Sequence, residues 1–124
     1  MTEEKKELLV EFVVAKQNAN NKIREHALRE QDLIYELMDL NEKINAVEMR
    51  VLDSISRDNF ADGKPKYRNE TERDIEKLKR LSADIGYRDL KERKHKAGKE
   101  LGTTKIEKEY LERQLTIWNS LVHF

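Results

Sequence analysis

Three histidines and a surplus of carboxylates are the side chains that first invite chemistry. In "ERKH", Glu92 and His95 stand three apart, the spacing by which di-iron helical bundles hold a metal, and "EHALRE" sets His26 and Glu30 one turn apart. A bundle site of that kind needs two such pairs and further glutamates turned toward one core. Here a single pair sits inside "KERKHKAGK", whose cations repel a metal ion. His95 therefore reads as a solvated surface residue, His26 as a polar residue of a helix seam, and His123 as a neighbour of a frayed helix end. No metal and no other cofactor is expected.

Covalent catalysis has no better footing. The chain contains no Cys, no Gly-rich phosphate loop, and no Ser in a strained turn beside a His. Carboxylates on helix surfaces pair with Lys and Arg one turn away and contribute a few tenths of a kcal/mol each. Continuous helices also lack the concave pocket that a reaction requires. A non-enzyme without a small-molecule substrate is expected.

Two basic clusters carry a stronger signal. In "GKPKYR", Lys64, Lys66 and Arg68 surround Tyr67, whose ring could stack on an unpaired base. In "YRDLKERKHKAGK", Arg88, Lys91, His95 and Lys99 recur at 3-4-4 spacing along one helix face, a stripe able to follow a phosphate backbone. The competing reading makes the first a solvated loop and the second the electrostatic answer to an acidic arm elsewhere in the chain.

The elements that must position these residues follow from composition and periodicity. Of 124 residues, 40% are charged, and there are four Gly and one Pro, which suits a long helix or coiled coil better than a thick-cored domain. The length alone predicts a single domain over 1–124. No apolar run approaches the ~18 residues of a membrane span. The opening "MTEEKKELL" has acids where a secretory signal needs bases, so a cytoplasmic protein is expected.

From Leu9 a seven-residue register fits the first arm. Its a positions are Leu9, Lys16, Ile23, Glu30, Leu37, Ile44 and Val51, and its d positions are Phe12, Ala19, His26, Leu33, Leu40, Val47 and Ser54. Apolar residues at 3-4 spacing over such a length specify helix rather than strand. With Thr2 as cap, the first arm is expected over about 3–57, roughly 80 Å at 1.5 Å per residue. The connector is expected over about 58–69, because Asp62-Gly63 makes a turn and Pro65 forbids helix through Lys64. Asn69 with Glu72 three residues later resembles a capping box and opens the second arm, about 70–122.

The second arm shows a short stripe of Ile75, Leu78, Leu81 and Ile85. A longer one follows, through Tyr87, Leu90, Lys94, Ala97, Leu101, Thr104, Lys108, Leu111, Leu115, Trp118 and Val122. The phase slips at Gly86, which predicts a kink or distortion there. Gly98 and Gly102 with Ala97 form a small-residue patch that would let a partner helix approach closely, and a break near "GTT" is the alternative.

Residues 1–62 carry 9 Lys/Arg against 14 Asp/Glu, and residues 63–124 carry 16 against 11. Halves at −5 and +5 attract each other. The expected fold is all-α: a long antiparallel helical hairpin, or coiled coil, with the second arm kinked or broken near Gly86 or Gly102. Its core draws on Leu9, Phe12, Ile23, Leu33, Leu37, Leu40, Ile44, Val47, Val51, Leu90, Leu101, Leu111, Leu115 and Trp118. Pairing centred on the connector sets Phe12 near Leu115, Leu9 near Trp118, and Glu30 near Ala97 within reach of Lys94. A cluster of Leu9, Phe12, Trp118 and Val122 would close the end far from the turn. So interrupted a seam buries little, and a dimer or a bound protein partner is expected to complete it.

The stretch "FADGKPKYRNETERDIEKLKRL" resembles small coiled-coil proteins of bacteriophages and prophages. In these a long helix leads to a turn of the type G-K-x-K-Y-x-N-E and then to a second helix. The match rests on Gly63, Lys64, Lys66, Tyr67, Asn69, Glu70 and Arg73, and more loosely on "KEYLERQLTIW". The family's alanine-rich second arm is replaced here by a more charged one. The resemblance implies a phage accessory protein acting in the bacterial host cytoplasm. Its expected task is binding a protein partner, such as a host defence or nucleic-acid-processing protein. The alternatives are a DNA-binding accessory of recombination or replication, through Lys64, Lys66, Arg68 and the Arg88–Lys99 stripe, and a purely structural coiled-coil spacer.

Overall fold

A computed structural model describes residues 2–122, and for Val122 its backbone only. Three helices account for most of them: α1 (Glu3–Arg57), α2 (Glu70–Ala83) and α3 (Ile85–Val122). No β-strand occurs among the described residues, and the fold is all-α. His123 and the side chain of Val122 lie outside the described residues.

Each boundary has a local cause. The Lys5 amide donates to Thr2 Oγ1 at 3.2 Å, and Glu3 and Glu4 stand at the positive end of the α1 dipole. Asn69 Oδ1 accepts from the Glu72 amide at 2.8 Å, while the Glu72 carboxylate reaches back to the Arg68 amide at 3.0 Å. That closes a capping box one residue wider than the standard form.

Asp84 separates α2 from α3. Its backbone is extended, its N–H donates to the Leu81 carbonyl, and its carboxylate accepts from the Tyr87 amide at 2.9 Å. One residue thus ends one helix and starts the next, two positions before Gly86, where the phase slip in the apolar pattern predicts it. The alternative break near "GTT" does not form, and α3 runs unbroken through Gly98 and Gly102. Neither glycine receives a partner helix, because a Cβ at either would meet nothing within 4 Å.

The chain packs as two compact units. The first joins the part of α1 up to Ile34 with the part of α3 from Lys99. Ala19 and Leu33 are buried there, as is Thr104, with Phe12, Ile23, Leu101, Leu111, Leu115 and Trp118 half-buried around them. Phe12 and Trp118 meet edge to face at 6.5 Å between ring centroids. Leu9, expected beside Trp118, is left 46% exposed.

The Glu30 carboxylate accepts from Lys108 Nζ at 2.9 Å, and this bond raises the ammonium pKa above its ordinary value. The other oxygen, Glu30 Oε1, is buried without a hydrogen-bond partner. Glu30 was expected near Ala97 and Lys94, and the pairing with Lys108 corrects that. Side chains on both helices tilt toward their own N-termini, so long ones meet further along the opposite helix than their Cα positions indicate. Arg29 adds an exposed ion pair with Glu100 at 2.6 Å, and half-buried His26 approaches exposed Glu107 at 3.7 Å.

The second unit spans Tyr35–Gly98. Leu40, Ile44, Val47, Ile55, Leu81 and Ala97 are buried in it, and Leu37, Val51 and Leu90 are half-buried. Ile55 replaces the expected seam residue Ser54, which is exposed. The buried face here steps Ile44, Val47, Val51, Ile55, an eleven-residue rather than seven-residue period. The Tyr87 hydroxyl donates to Glu48 Oε1 at 2.9 Å, and burial, followed by that carboxylate, raises its pKa.

Candidate interaction surfaces

The connector is a folded loop. Asn59 and Pro65 form an isolated antiparallel bridge, and the Phe60 amide donates to the Lys64 carbonyl at 2.8 Å. Between them Gly63 takes φ +85°, a conformation that costs a residue with a Cβ and costs glycine nothing. Asp62 Oδ1 accepts from the Lys64 amide at 3.0 Å and fixes the turn. The loop therefore holds its basic side chains on a set backbone, and Lys64, Lys66 and Arg68 are all exposed.

Arg80 ties this loop to the helices on either side. Its guanidinium donates to Glu76 Oε1 at 2.9 Å, to Ser54 Oγ at 3.1 Å and to the Asp58 carboxylate, and lies 5.9 Å from the Tyr67 ring centroid. The hydrogen bonds to Arg80 hold the carboxyls of Asp58 and Glu76 below their ordinary pKa values, and both carboxylates in turn raise that of Arg80. Tyr67 is consequently half-buried against Arg80 and does not stand free to receive a base. The exposed aromatic of the loop is Phe60, at 49%. Local spacing points to Tyr67 because it lies between two cations. The partner that claims it, Arg80, is thirteen residues away and invisible to local spacing.

α2 is rotated from its expected orientation. Of Ile75, Leu78, Leu81 and Ile85 only Leu81 is buried, while Ile75 and Leu78 are 62% and 68% exposed and Ile85 is exposed as well. Glu76, Lys77, Arg80 and Asp84 take the inward places beside Leu81. The cause is Arg80, whose hydrogen bonds to Ser54 on α1 and Asp58 in the connector can form only if its face turns inward, while Glu76, one turn back on α2 itself, steadies the guanidinium. Ile75 and Leu78 are left as an apolar face that no described residue covers.

On α3, Arg88, Lys91 and His95 are exposed in this same unit, and Lys99 is exposed in the other. Lys91 Nζ lies 5.9 Å from the Tyr87 ring centroid. None of the four forms an ion pair with α1, whose cross-helix contacts with α3 run from Arg29, His26 and Glu30 to Glu100, Glu107 and Lys108. The stripe thus meets the acidic first arm through no direct ion pair.

No group of His, Asp or Glu among the described residues converges as a metal site would. Glu92 instead pairs with Lys96 at 3.3 Å. No helix among the described residues is long and apolar enough to cross a membrane. Comparison with known proteins finds no matching family model, no matching curated protein and no matching solved structure.

Proposed function

We propose that this chain is a non-enzymatic antiparallel helical-hairpin protein that acts by binding a macromolecular partner. The preferred partner is a protein. In the setting that the bacteriophage resemblance implies, it is a host defence or nucleic-acid-processing protein, met in the bacterial cytoplasm and modulated by occupation of its surface. The observation that carries the reading is the outward apolar face of α2. Ile75 and Leu78 sit on a well-capped helix whose ionic side is the one turned inward, an arrangement that leaves them to an outside ligand.

The test is retention of a partner from host lysate by the tagged chain and by its Ile75→Glu/Leu78→Glu variant. A partner retained by the first and lost by the second, with helical circular dichroism equal in both, supports the reading. Equal retention by both removes α2 from it.

A second reading, a DNA-binding accessory of recombination or replication, draws on the exposed Lys64, Lys66, Arg68, Arg88, Lys91 and His95, none of which is neutralised by an ion pair. A gel shift at two salt concentrations separates the two. Affinity that falls steeply with salt and vanishes on changing Lys64, Lys66 and Arg68 to Glu favours DNA, and affinity absent at low salt discards it.

A further inference from the structure

The first unit leaves a large share of its apolar side chains uncovered. Ala19 and Leu33 are its fully buried apolar residues, whereas Ile106, Tyr110, Ile117 and Leu121 on α3 are each more than half exposed. Those four are spaced 4-7-4, which at about 100° per residue keeps them within one narrow stripe of the helix. The stripe lies outside the side of α3 that α1 covers, which is supplied by Leu101, Lys108, Leu111, Leu115 and Trp118, and at Ile106 and Tyr110 it borders a groove shared with Lys22 and His26 of α1.

From their exposed fractions the four leave roughly 500 Å² bare, the upper range for a monomer's largest apolar patch. Two such stripes face to face would remove about 1,000 Å² before flanking residues are counted, the threshold for a specific interface.

The arrangement of the stripe says what covers it. It is symmetric about the midpoint between Arg113 and Gln114: Tyr110 and Ile117 lie equally far on either side, and so do Ile106 and Leu121. Two copies crossing antiparallel at that point would set Ile106 against Leu121 and Tyr110 against Ile117, twice over, as a two-fold interface requires. Glu109 and Arg113 share one edge of the stripe, and neither has an ion-pair partner within its own chain among the described residues. A two-fold brings that edge against its copy: the two Arg113 lie nearest the axis, and the Glu109 of each chain, one turn from its own Arg113 and within side-chain reach of the other, offsets the two like charges. Gln114 donates to the Tyr110 hydroxyl at 3.2 Å, which fixes the ring on the stripe and satisfies its polar end. We infer that the occupant of this face is a second copy of the chain, held by α3 against α3 in antiparallel orientation about Arg113. The inference does not depend on which outside partner the protein binds.

Light scattering across a concentration series tests it on the intact chain. The expected mass is twice the 14.8 kDa of the chain, falling twofold in Ile106→Glu/Ile117→Glu while helical circular dichroism persists. Val10→Glu/Val14→Glu, exposed residues on α1, should leave the dimer intact. The chain has no Cys, so single Arg113→Cys should give a disulfide-linked dimer on mild oxidation, in which the new thiol meets its copy near the axis. A monomer at every concentration overturns the inference. So does a dimer that survives the double glutamate change, or cross-linking through Val14→Cys in preference to Arg113→Cys.

Discussion

Truncating Leu33 and Leu78 separately would test the packing where it departs furthest from the apolar pattern. Both are leucines on stripes with helical spacing, yet Leu33 is 0% exposed and Leu78 is 68% exposed. Leu33→Ala removes three buried carbons at about 0.8 kcal/mol each, and the cavity left behind raises the cost to about 2.5–4 kcal/mol. For Leu78 about a third of that transfer term applies, near 0.8 kcal/mol, and the better helix propensity of Ala returns about 0.2. The expected costs therefore differ at least fourfold. Urea unfolding followed by far-UV circular dichroism reads this as a midpoint shift on the order of 1–2 M for Leu33→Ala, with the slope unchanged. Leu78→Ala should shift it by less than about 0.5 M. Protein concentration must be equal in all three samples, because self-association adds to apparent stability. Equal shifts would refute the reasoning, since they would mean that α2 buries Leu78 and that the ionic face is the one left to solvent.

Gly102→Ala should stabilise the chain by about 1 kcal/mol, as it replaces a mid-helix glycine whose added methyl meets no atom, and thermal melting checks it. Glu30→Leu alone should lower the melting temperature by stranding Lys108 in a half-buried site, whereas Glu30→Leu with Lys108→Leu should restore it or raise it above the parent. Asp58 and Glu76 have folded pKa values below their ordinary 3.8 and 4.5, so their stabilisation is complete above those values and fades as pH falls through the lower folded ones. Amide exchange of the connector, compared with that of α1, should accelerate selectively in that acid window. Arg80→Gln should abolish the pH dependence of the difference.

How far the fold can be read from the chain differs from element to element, for physical reasons. The α1 register is legible because its a and d residues repeat in a long helix with one partner face, so periodicity and burial agree at Leu33, Leu40, Ile44 and Val47. They part at Ser54, where the period lengthens and Ile55 turns inward. The caps at Thr2 and Asn69 are legible because they are local. α2 is misread because its orientation is chosen by one long-range cation. Apolar spacing carries no trace of Arg80 reaching Ser54 and Asp58. The same long-range contact claims Tyr67, while Phe60 has no cation directly beside it to mark it in the sequence. Among the basic residues singled out, exposure accords with the spacing, but what they meet is not written in the chain.

Asp84 serves two helices at once, and this has a consequence for how the chain can vary. There is no spare residue between Ala83 and Ile85, so a single insertion or deletion there would rotate all of α3 by about 100° and carry Leu90, Ala97, Leu101 and Leu111 off their covered side. In the loop from Asp58 to Asn69 only the ends are tied to the helices, Asp58 and Tyr67 by Arg80 and Asn69 by the α2 cap, and the stretch from Asn59 to Pro65 sets no helix phase. Natural variants should therefore gain and lose residues in that loop and keep a constant count across the α2–α3 joint.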